Sequence, residues 1–325
     1  MSYDLSRLRV LVLEDSPQMR DIFRTILASI GIKNVVQVAD GIDAIVKLTT
    51  HAFDLAIVDW VVPRYDGIEF IEHVRKAPES PNPYLPIIMV TGHGERHKVM
   101  RARDAGATEF LVKPISAHVL AARIVEVIER PRPFVRTKNY FGPTRRRHRG
   151  EWSGTERREG YSSTGQNEKG AIEVIEPPNL IRMQVRGGGG VDPEAIRRAE
   201  AAVRNLKGAF EAAAEAQLEE LQAACEQIVA GSSVRANLQQ IARIAHELKG
   251  QGGTFGYELL SDVADLLSYH ARRNEFLDQR GVQIVKTIIG ALGIVIGQKI
   301  QGDGGPAGRE LLAHLKHAIG VQAQG

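Results

Sequence analysis

The chain has 325 residues, of which 43 % are hydrophobic and 25 % are charged, an ordinary composition for a soluble globular protein. This composition excludes a mostly disordered chain and a collagen. Cys225 is the single cysteine, so an internal disulfide is impossible and a reducing compartment is indicated. The formal net charge of +3 leaves nucleic-acid binding open, so the location of that charge matters. Residues 1–9 contain no secretory core, and the uncharged stretch 287–298 is too short to cross a bilayer, so we expect a cytoplasmic protein.

The first 130 residues alternate short apolar runs with amphipathic stretches. Buried strands are predicted at residues 8–13, 35–38, 55–58, 86–90 and 108–112. Each is followed by a predicted helix, at residues 16–30, 40–50, 66–76, 95–105 and 116–129. Five successive β–α units predict an α/β domain over residues 1–130, with helices on both faces of a parallel sheet.

The composition changes between residues 131 and 190, where apolar periodicity disappears. This segment carries twelve basic and six acidic side chains, whereas the regions before and after it are slightly acidic. Its basic residues, serines and glycines predict a flexible basic linker. The most basic run is Arg145 to Arg149, which follows Tyr140 and Phe141 and is the candidate for nucleic-acid binding. A solvated linker is the simpler interpretation of the run.

Residues 191–325 are helical in character throughout. Helices are predicted at residues 193–230, 234–250, 257–273, 276–300 and 306–319, which indicates an antiparallel bundle of four to five helices. Gly290, Gly293 and Gly297 lie on an apolar helix. They favour close packing inside the bundle, with a homodimer seam as the alternative.

Polar side chains gather where the predicted strands end. Glu14 and Asp15 follow the first strand, and Asp59 follows the third. If these strands are neighbours, three carboxylates crowd one edge of the sheet, which favours a hard cation such as Mg²⁺. Lys113 and Thr91 end two further strands. A carboxylate nucleophile, a metal, an ammonium group and a hydroxyl together predict a phosphoryl-transfer site with Asp59 as acceptor.

These residues resemble the signature of response-regulator receiver domains. The residues that carry the resemblance are Glu14-Asp15, the run from Val58 to Gly67 around Asp59, Thr91-Gly92 and Lys113-Pro114. The resemblance covers residues 1–130 and implies a doubly wound, flavodoxin-like sheet of strand order 2-1-3-4-5. It implies that Asp59 is phosphorylated and that Glu14, Asp15, Asp59 and the carbonyl of Val61 hold Mg²⁺. It further implies that Thr91 and Lys113 contact the phosphoryl oxygens, and that the Lys113–Pro114 peptide is cis.

Two positions bear on how such a domain would switch. Phe110 stands three residues before Lys113, where receivers commonly place a switching aromatic residue, and simple packing at the strand end is the alternative. Val61 stands two residues after Asp59, where chemotaxis-type receivers carry a polar residue. Because an apolar side chain orients attacking water poorly, we expect slow autodephosphorylation of Asp59. Thr91 and Phe110 are the predicted switch residues.

The second candidate site lies on one predicted helix. Ile241, Ile244 and Leu248 form an apolar stripe, and His246 falls off it and is expected to face solvent. Lys249 and Gly250 follow at the third and fourth positions, where a lysine can neutralise a phosphoryl group and a glycine opens the approach. The pattern His246-x-Leu248-Lys249-Gly250 resembles the signature of histidine phosphotransfer (HPt) domains. The resemblance implies a helical bundle over residues 191–325 with His246 as a phosphoryl carrier.

Three weaker candidates have simpler interpretations. His93 with His97 and His314 with His317 have helical spacing for metal ligands, but no third ligand is evident and a solvated helix face is the default. Cys225 lies among alanines and is attributed to packing.

The sequence therefore predicts a phosphorelay protein without an ATP-dependent kinase domain of its own. A sensor histidine kinase would phosphorylate Asp59, and His246 would exchange phosphoryl with a receiver aspartate, such as Asp59 itself. One alternative is a protein-binding module controlled by phosphorylation, whose two domains serve separate partners. The other is a nucleic-acid-binding regulator that acts through residues 145–149.

Overall fold

The computed structural model describes residues 2–92, 96–145, 172–274 and 276–320. The chain divides into two compact units. The first comprises residues 1–112 and 117–199, and the second comprises residues 113–116 and 200–325. Each unit is described by itself.

The first unit is built on a five-stranded parallel sheet. Its strands are β1 (Arg9–Leu13), β2 (Asn34–Val38), β3 (Leu55–Asp59), β4 (Ile87–Thr91) and β5 (Glu109–Val112), in the order β2-β1-β3-β4-β5. The helices between and after them are α1 (Pro17–Ser29), α2 (Gly41–Thr50), α3 (Gly67–Lys76), α4 (Arg96–Ala105) and α5 (Ala117–Glu129). This arrangement confirms the predicted fold class and the predicted strand order.

Local sequence signals account for the strands and for the helix starts. Strands β3 and β4 are buried along their whole length, as expected for a parallel sheet covered on both faces. Helix α1 begins with Ser16 as N-cap and Pro17 in the first turn, and the Ser16 hydroxyl accepts a hydrogen bond from the Met19 N–H at 3.3 Å. Asp66 and Glu69 form a reciprocal capping box at the start of α3. These caps fix the points at which the chain leaves the sheet edge.

The described parts of residues 131–190, here called the extension (131–145 and 172–190), differ from the predicted linker. They contain β6 (Phe134–Arg136), β7 (Phe141–Pro143), β8 (Glu173–Ile175) and α6 (Leu180–Gln184). The three strands form an antiparallel sheet of order β7-β6-β8. The basic run 145–149 lies outside the described residues except for Arg145, which pairs with Asp104 at 3.1 Å.

Aromatic packing and a buried arginine explain why the extension is ordered against the first unit. Phe134 stacks edge to face on Tyr84, with ring centroids 5.0 Å apart, and Phe141 packs against both rings. The guanidinium of Arg75 lies over the Phe134 ring and donates to the carbonyls of Gly106 at 3.0 Å and Pro83 at 2.7 Å. Burial lowers the pKa of Arg75 to about 9. The composition of residues 131–190 does not indicate these contacts, because they join residues that are far apart in the chain.

The second unit is helical, as predicted. A break at Leu206 separates α7 (Pro193–Asn205), which crosses the boundary between the units, from α8 (Lys207–Val229), where the sequence predicts one continuous helix. The remaining helices are α9 (Val234–Thr254), α10 (Glu258–Arg273), α11 (Gln279–Gly297) and α12 (Gly305–Ile319). Helix α9 packs against α8 and α10, and α11 packs against α8, α10 and α12.

Helix α11 is the most apolar helix among the described residues. By length and composition alone it could cross a membrane, but 44 % of its most apolar window is buried inside the structure. Val285, Ile288 and Leu292 contribute to the core of the second unit. One face of this helix therefore packs in the core of the second unit.

Candidate functional site

Three carboxylates meet at the carboxyl ends of β1 and β3, as predicted. Leu13 is paired with Val58 in the parallel ladder, which places the residues that follow them side by side. One oxygen from each of Glu14, Asp15 and Asp59 lies within 4.8 Å of the other two. Glu14 and Asp59 are almost fully buried and Asp15 is half-buried. Among the described residues, no other group of three such side chains is close enough to hold a metal ion.

Arg20 of α1 fixes the backbone that carries two of these carboxylates. Its Nη1 donates to the carbonyl oxygen of Glu14 at 2.7 Å and to that of Asp15 at 2.9 Å. The Ser16 N–H donates to Oε1 of Glu14 at 3.3 Å, which turns that carboxylate toward the edge. The sequence analysis did not select Arg20. Arg20 lies one turn into the helix that follows Glu14 and Asp15, and this position is a sequence signal that could have identified it.

Close backbone packing sets the position of Asp59. A Cβ atom on Gly67 would lie 2.2 Å from the carbonyl oxygen of Asp59, so no larger residue fits there without a shift. Gly67 also donates its N–H to the carbonyl of Trp60 at 3.1 Å. The first residue of α3 thus holds the beginning of the segment 60–66, which includes the half-buried Val61, close to the end of β3.

A second clamp holds the same segment against α2. Arg64, which has a left-handed φ of 63°, pairs with Asp40 and lies 3.3 Å from Asp43. The Arg64 guanidinium helps to hold the pKa of Asp40 below its usual value, against the opposing effect of burial. A Cβ on Gly41 would lie 2.0 Å from the Tyr65 carbonyl oxygen, so this approach also requires a glycine. The sequence analysis did not identify Arg64 or Gly41.

Of the other predicted site residues, Thr91 ends a neighbouring strand of the same sheet and Phe110 lies within β5. Thr91 is the last residue of β4, is buried, and is paired with Val112 of β5 in the ladder. Lys113 follows Val112 directly, and the Lys113–Pro114 peptide is cis, as the resemblance implies. Phe110 is half-buried and packs on the core beneath the sheet. The roles predicted for these side chains remain predictions.

The donor set of the acidic cluster fits a hard divalent cation. All three side chains offer carboxylate oxygens, which Mg²⁺ prefers, and their convergence at a partly buried edge is electrostatically costly without a counter-charge. Nitrogen or sulfur ligands, which softer metals favour, are not part of this group. The cluster can therefore hold a metal beside the carboxylate of Asp59.

His246 is half-buried on α9 rather than turned fully to solvent, which corrects the expectation from the helical stripe. Lys249 is 13 % exposed, and its Nζ lies 2.7 Å from Oδ1 of Asp265 on α10. Gly250 is buried. The approach to His246 is therefore shaped by neighbouring helices as well as by the motif.

Glu247, the residue after His246, is linked to α8. Its Oε2 accepts a hydrogen bond from Nε2 of Gln217 at 2.8 Å, and its Oε1 pairs with Arg243 at 2.5 Å. Burial raises the pKa of Glu247, although Arg243 opposes that shift. These contacts fix the rotation of the helical turn that carries His246, and the sequence analysis did not select them.

The weaker candidates find no further support. His314 and His317 lie on the exposed face of α12, and Cys225 is buried in α8. His93 and the side chain of His97 lie outside the described residues. Gly290 and Gly297 are exposed on α11, and nothing in the structure tests the predicted homodimer seam.

Comparisons with known proteins match both units. The family model of the response regulator receiver domain matches residues 10–125, and the model of the Hpt domain matches residues 205–292. The chemotaxis protein CheY of Pseudomonas aeruginosa is 32 % identical over 123 residues, which cover 38 % of this chain and 98 % of that protein. CheY-3 of Vibrio cholerae is 29 % identical, over 38 % of this chain and 93 % of its own length.

Two solved structures are also similar to part of this chain. Chemotaxis protein CheY4 of Vibrio cholerae is 31 % identical and covers 36 % of this chain and 95 % of its own, with a TM-score of 0.34. The receiver domain of the Francisella response regulator 1452 is 26 % identical and covers 36 % of this chain and 92 % of its own, with a TM-score of 0.33.

Proposed function

Because this chain belongs to the response regulator receiver family and also carries an Hpt domain, we propose that Asp59 and His246 are its two phosphoryl-carrying residues. The two domains together indicate a two-component phosphorelay. The observation that carries the assignment of Asp59 is the convergence of Glu14, Asp15 and Asp59 within 4.8 Å at one edge of the sheet. The assignment of His246 depends on its place in the Hpt domain, on the helix that also carries Lys249 and Gly250.

The first step places a phosphoryl group on Asp59. A carboxylate oxygen of Asp59 attacks the phosphorus of a phosphohistidine on a sensor histidine kinase, so that the P–N bond breaks and an acyl phosphate forms. Glu14, Asp15, Asp59 and the carbonyl of Val61 would hold Mg²⁺, which when bound neutralises the phosphoryl oxygens. Thr91 and Lys113 would donate a hydroxyl and an ammonium group to the same oxygens. Arg20 holds the Glu14 and Asp15 backbone in the required position.

The second step moves the group between aspartate and histidine. A neutral imidazole nitrogen of His246 attacks the acyl phosphate of a receiver aspartate, the acyl P–O bond breaks, and the carboxylate is regenerated. Burial of Nδ1 supports Nε2 as the reacting nitrogen. Lys249, held by Asp265, would offset the negative charge of the incoming group. The donor aspartate is Asp59 itself or one on another receiver, and the reverse direction, from His246 to an aspartate, uses the same contacts.

A receiver and an Hpt domain imply interaction with histidine kinases and with other phosphorelay components. We place the protein in the cytoplasm, where a sensor kinase and a further receiver would be its partners. Two alternatives are that the domains serve separate partners in parallel, or that residues 145–149 bind nucleic acid. The latter requires steeply salt-dependent binding that is lost when Arg145, Arg146 and Arg147 are replaced.

Radiolabelled acetyl phosphate provides the test without knowledge of the kinase. The full chain is expected to acquire an alkali-labile acyl phosphate on Asp59 and an acid-labile, alkali-stable phosphohistidine on His246. Asp59→Asn should lose both labels, and His246→Gln should keep only the acyl phosphate. Asp21→Asn and His317→Gln, which change exposed side chains of the same types, serve as matched controls.

The outcomes separate the relay from its alternatives. A phosphohistidine that forms equally well in Asp59→Asn shows that the two domains work in parallel and overturns the internal transfer. Mixing Asp59→Asn with His246→Gln distinguishes transfer between chains from transfer within one chain, because only the former restores the phosphohistidine. Absence of any label on Asp59, with an intact fold, contradicts the assignment of the acceptor.

A further inference from the structure

The first unit contains a cavity at the edge of the sheet opposite to Asp59. It encloses about 440 Å³ and is lined near the amino ends of β3, β4 and β5, by residues such as Asp54, Pro86 and Thr108. Since a strand of five residues rises roughly 3.3 Å per residue, the cavity lies on the order of 15 Å from the carboxylate cluster. Its volume is in the range of small-molecule sites, which begins at about 300 Å³. The cavity is therefore separate from the proposed phosphoryl site.

The extension supplies one wall of this cavity. Phe134 of β6 and Ile181 of α6 line it, and both side chains are buried. Asn179 fastens the start of α6 to the first unit, because its Nδ2 donates to the carbonyl of Ile128 at 2.9 Å. The Tyr84, Phe134 and Phe141 rings hold β6 and β7 in place. The cavity thus depends on a segment that lies beyond the matched receiver domain, which ends at residue 125.

The surface of the lining is mainly apolar, and polar side chains such as Asn82, Arg132 and Asn179 stand among the apolar ones. It includes the aromatic side chains of Phe53, Tyr84 and Phe134 and five prolines, which lose little conformational freedom when a ligand binds. Arg132 brings a guanidinium to the wall and donates through Nη1 to the carbonyl of Thr108 at 3.1 Å. A guanidinium offers five N–H donors, so it can hold an anionic group as well.

Asp54 brings a carboxyl group to the lining. Asp54 accepts a hydrogen bond from the Arg9 N–H at 2.8 Å through Oδ2, which orients that oxygen toward the backbone. Burial raises the pKa of Asp54, although the Arg9 N–H opposes this shift. The guanidinium of Arg132 is therefore the group of the wall that would bind the acidic part of a ligand.

We propose that the extension and the first unit together form a binding site for a small, planar, largely apolar acid, with its rings among Phe53, Tyr84 and Phe134 and its acidic group on Arg132. The site is independent of the phosphoryl-transfer assignment, because it shares no residue with the Asp59 edge. The extension then acts as part of a ligand-binding domain.

Two dyes of matched shape test the proposal on the full chain. 8-Anilinonaphthalene-1-sulfonate carries an acidic group, and N-phenyl-1-naphthylamine has the same ring system without it. Both are expected to bind with one saturable site per chain. Arg132→Leu should weaken binding of the sulfonate about tenfold, as expected for loss of a charge-assisted hydrogen bond, and should leave the neutral dye nearly unchanged.

A space-filling variant locates the site. Ala52 is exposed and lines the cavity, so Ala52→Trp should fill its mouth and weaken both dyes about tenfold or more. Met183→Trp is the control, since Met183 lies on α6, is 76 % exposed and does not line the cavity. Dye fluorescence is excited in the naphthalene band, so that the new tryptophan does not contribute.

Backbone amide shifts of the wild-type chain keep the test decisive if a variant fails to fold. The sulfonate dye should shift the amides of Asp54, Thr108 and Ile181. The proposal is overturned if the shifts cluster at the Asp59 edge or in the second unit. It is also overturned by non-saturating binding, by Ala52→Trp binding that equals the wild type, or by an equal effect of Arg132→Leu on both dyes.

Discussion

The two units build their reactive groups in opposite ways. In the first unit, Glu14, Asp15, Asp59 and Thr91 are spread over nearly eighty positions, and strand pairing brings them to one edge. In the second unit, His246, Lys249 and Gly250 lie within five positions on one helix. The first arrangement depends on backbone register and loop closure, whereas the second depends on how neighbouring helices cover a local motif. The first unit should therefore be the more sensitive to changes far from its reactive residue.

The largest expected effect concerns the extension and tests whether distant segments belong to the first unit. Phe134→Ala removes a buried ring that contacts Tyr84, Phe141 and Arg75, and should lower the free energy of unfolding of the first unit by about 3–5 kcal/mol. Urea denaturation, followed by circular dichroism, provides the measurement. Lys138→Ala, at an exposed position, should change it by less than about 0.5 kcal/mol. Equal small effects would restore the linker interpretation.

Removal of divalent metal should separate the two sites by chemistry. Labelling of Asp59 should fall about 100-fold in excess EDTA, because the charge of the metal then no longer offsets the repulsion between the three carboxylates and the phosphoryl oxygens. Phosphohistidine already formed on His246 should persist in EDTA, since the described part of the second unit has no such acidic cluster. Label retention is measured after acid and alkali treatment. Labelling of Asp59 that does not depend on metal would contradict the predicted difference between the Asp59 site and the His246 site.

Gly67→Ala tests the sensitivity of the first site to backbone packing. A methyl group 2.2 Å from the Asp59 carbonyl oxygen must displace either α3 or the end of β3, at a cost of about 2 kcal/mol. The rate of Asp59 labelling should fall roughly tenfold or more, since the carboxylate moves relative to Glu14 and Asp15. Gly188→Ala is the control, because a Cβ there meets no atom within 4 Å. An unchanged labelling rate would show that the site tolerates such a shift.

The smallest effect concerns the contacts among Tyr257, Glu211 and Lys299 in the second unit, here called the polar lock. The hydroxyl of Tyr257 donates to Glu211 at 2.5 Å, and Glu211 also pairs with Lys299 at 2.6 Å. Tyr257→Phe should cost about 1–2 kcal/mol of unfolding free energy, whereas Tyr269→Phe, at an exposed position, should cost less. The activity of His246 should change little, because the lock lies outside its motif.

The lock also has a defined pH dependence. Burial, with the hydrogen bond to Glu211, raises the pKa of Tyr257 to about 12. Its unfolded value is about 10, so the stabilisation is complete below pH 10 and is lost as the pH rises toward 12. The difference in unfolding free energy between wild type and Tyr257→Phe should shrink over that interval. A constant difference between pH 9 and 12 would contradict the assignment.

The strongest sequence predictions rest on local signals. Caps at Ser16 and Asp66, apolar runs for the strands and carboxylates at strand ends predicted the parallel sheet and the cluster of Glu14, Asp15 and Asp59. The motif around His246 predicted the second domain, which the Hpt family model confirms. The half-burial of His246 was not predicted, because a helical stripe identifies the apolar face of a helix and not the exposure of the residues beside that face.

The amino-acid sequence was sufficient to predict the classes of both domains and their candidate site residues, because hydrophobic period, caps and motifs are local properties of the chain. Three features became visible only in the tertiary structure: the packing of the extension on the first unit, the pairing of Lys249 with Asp265, and the clamps made by Arg20 and Arg64. Lys249 and Arg64 each contact a different element of the fold, whereas Arg20 contacts the loop just before its own helix. The free energy of these contacts arises from burial and hydrogen bonding between surfaces that exist only after the elements have packed.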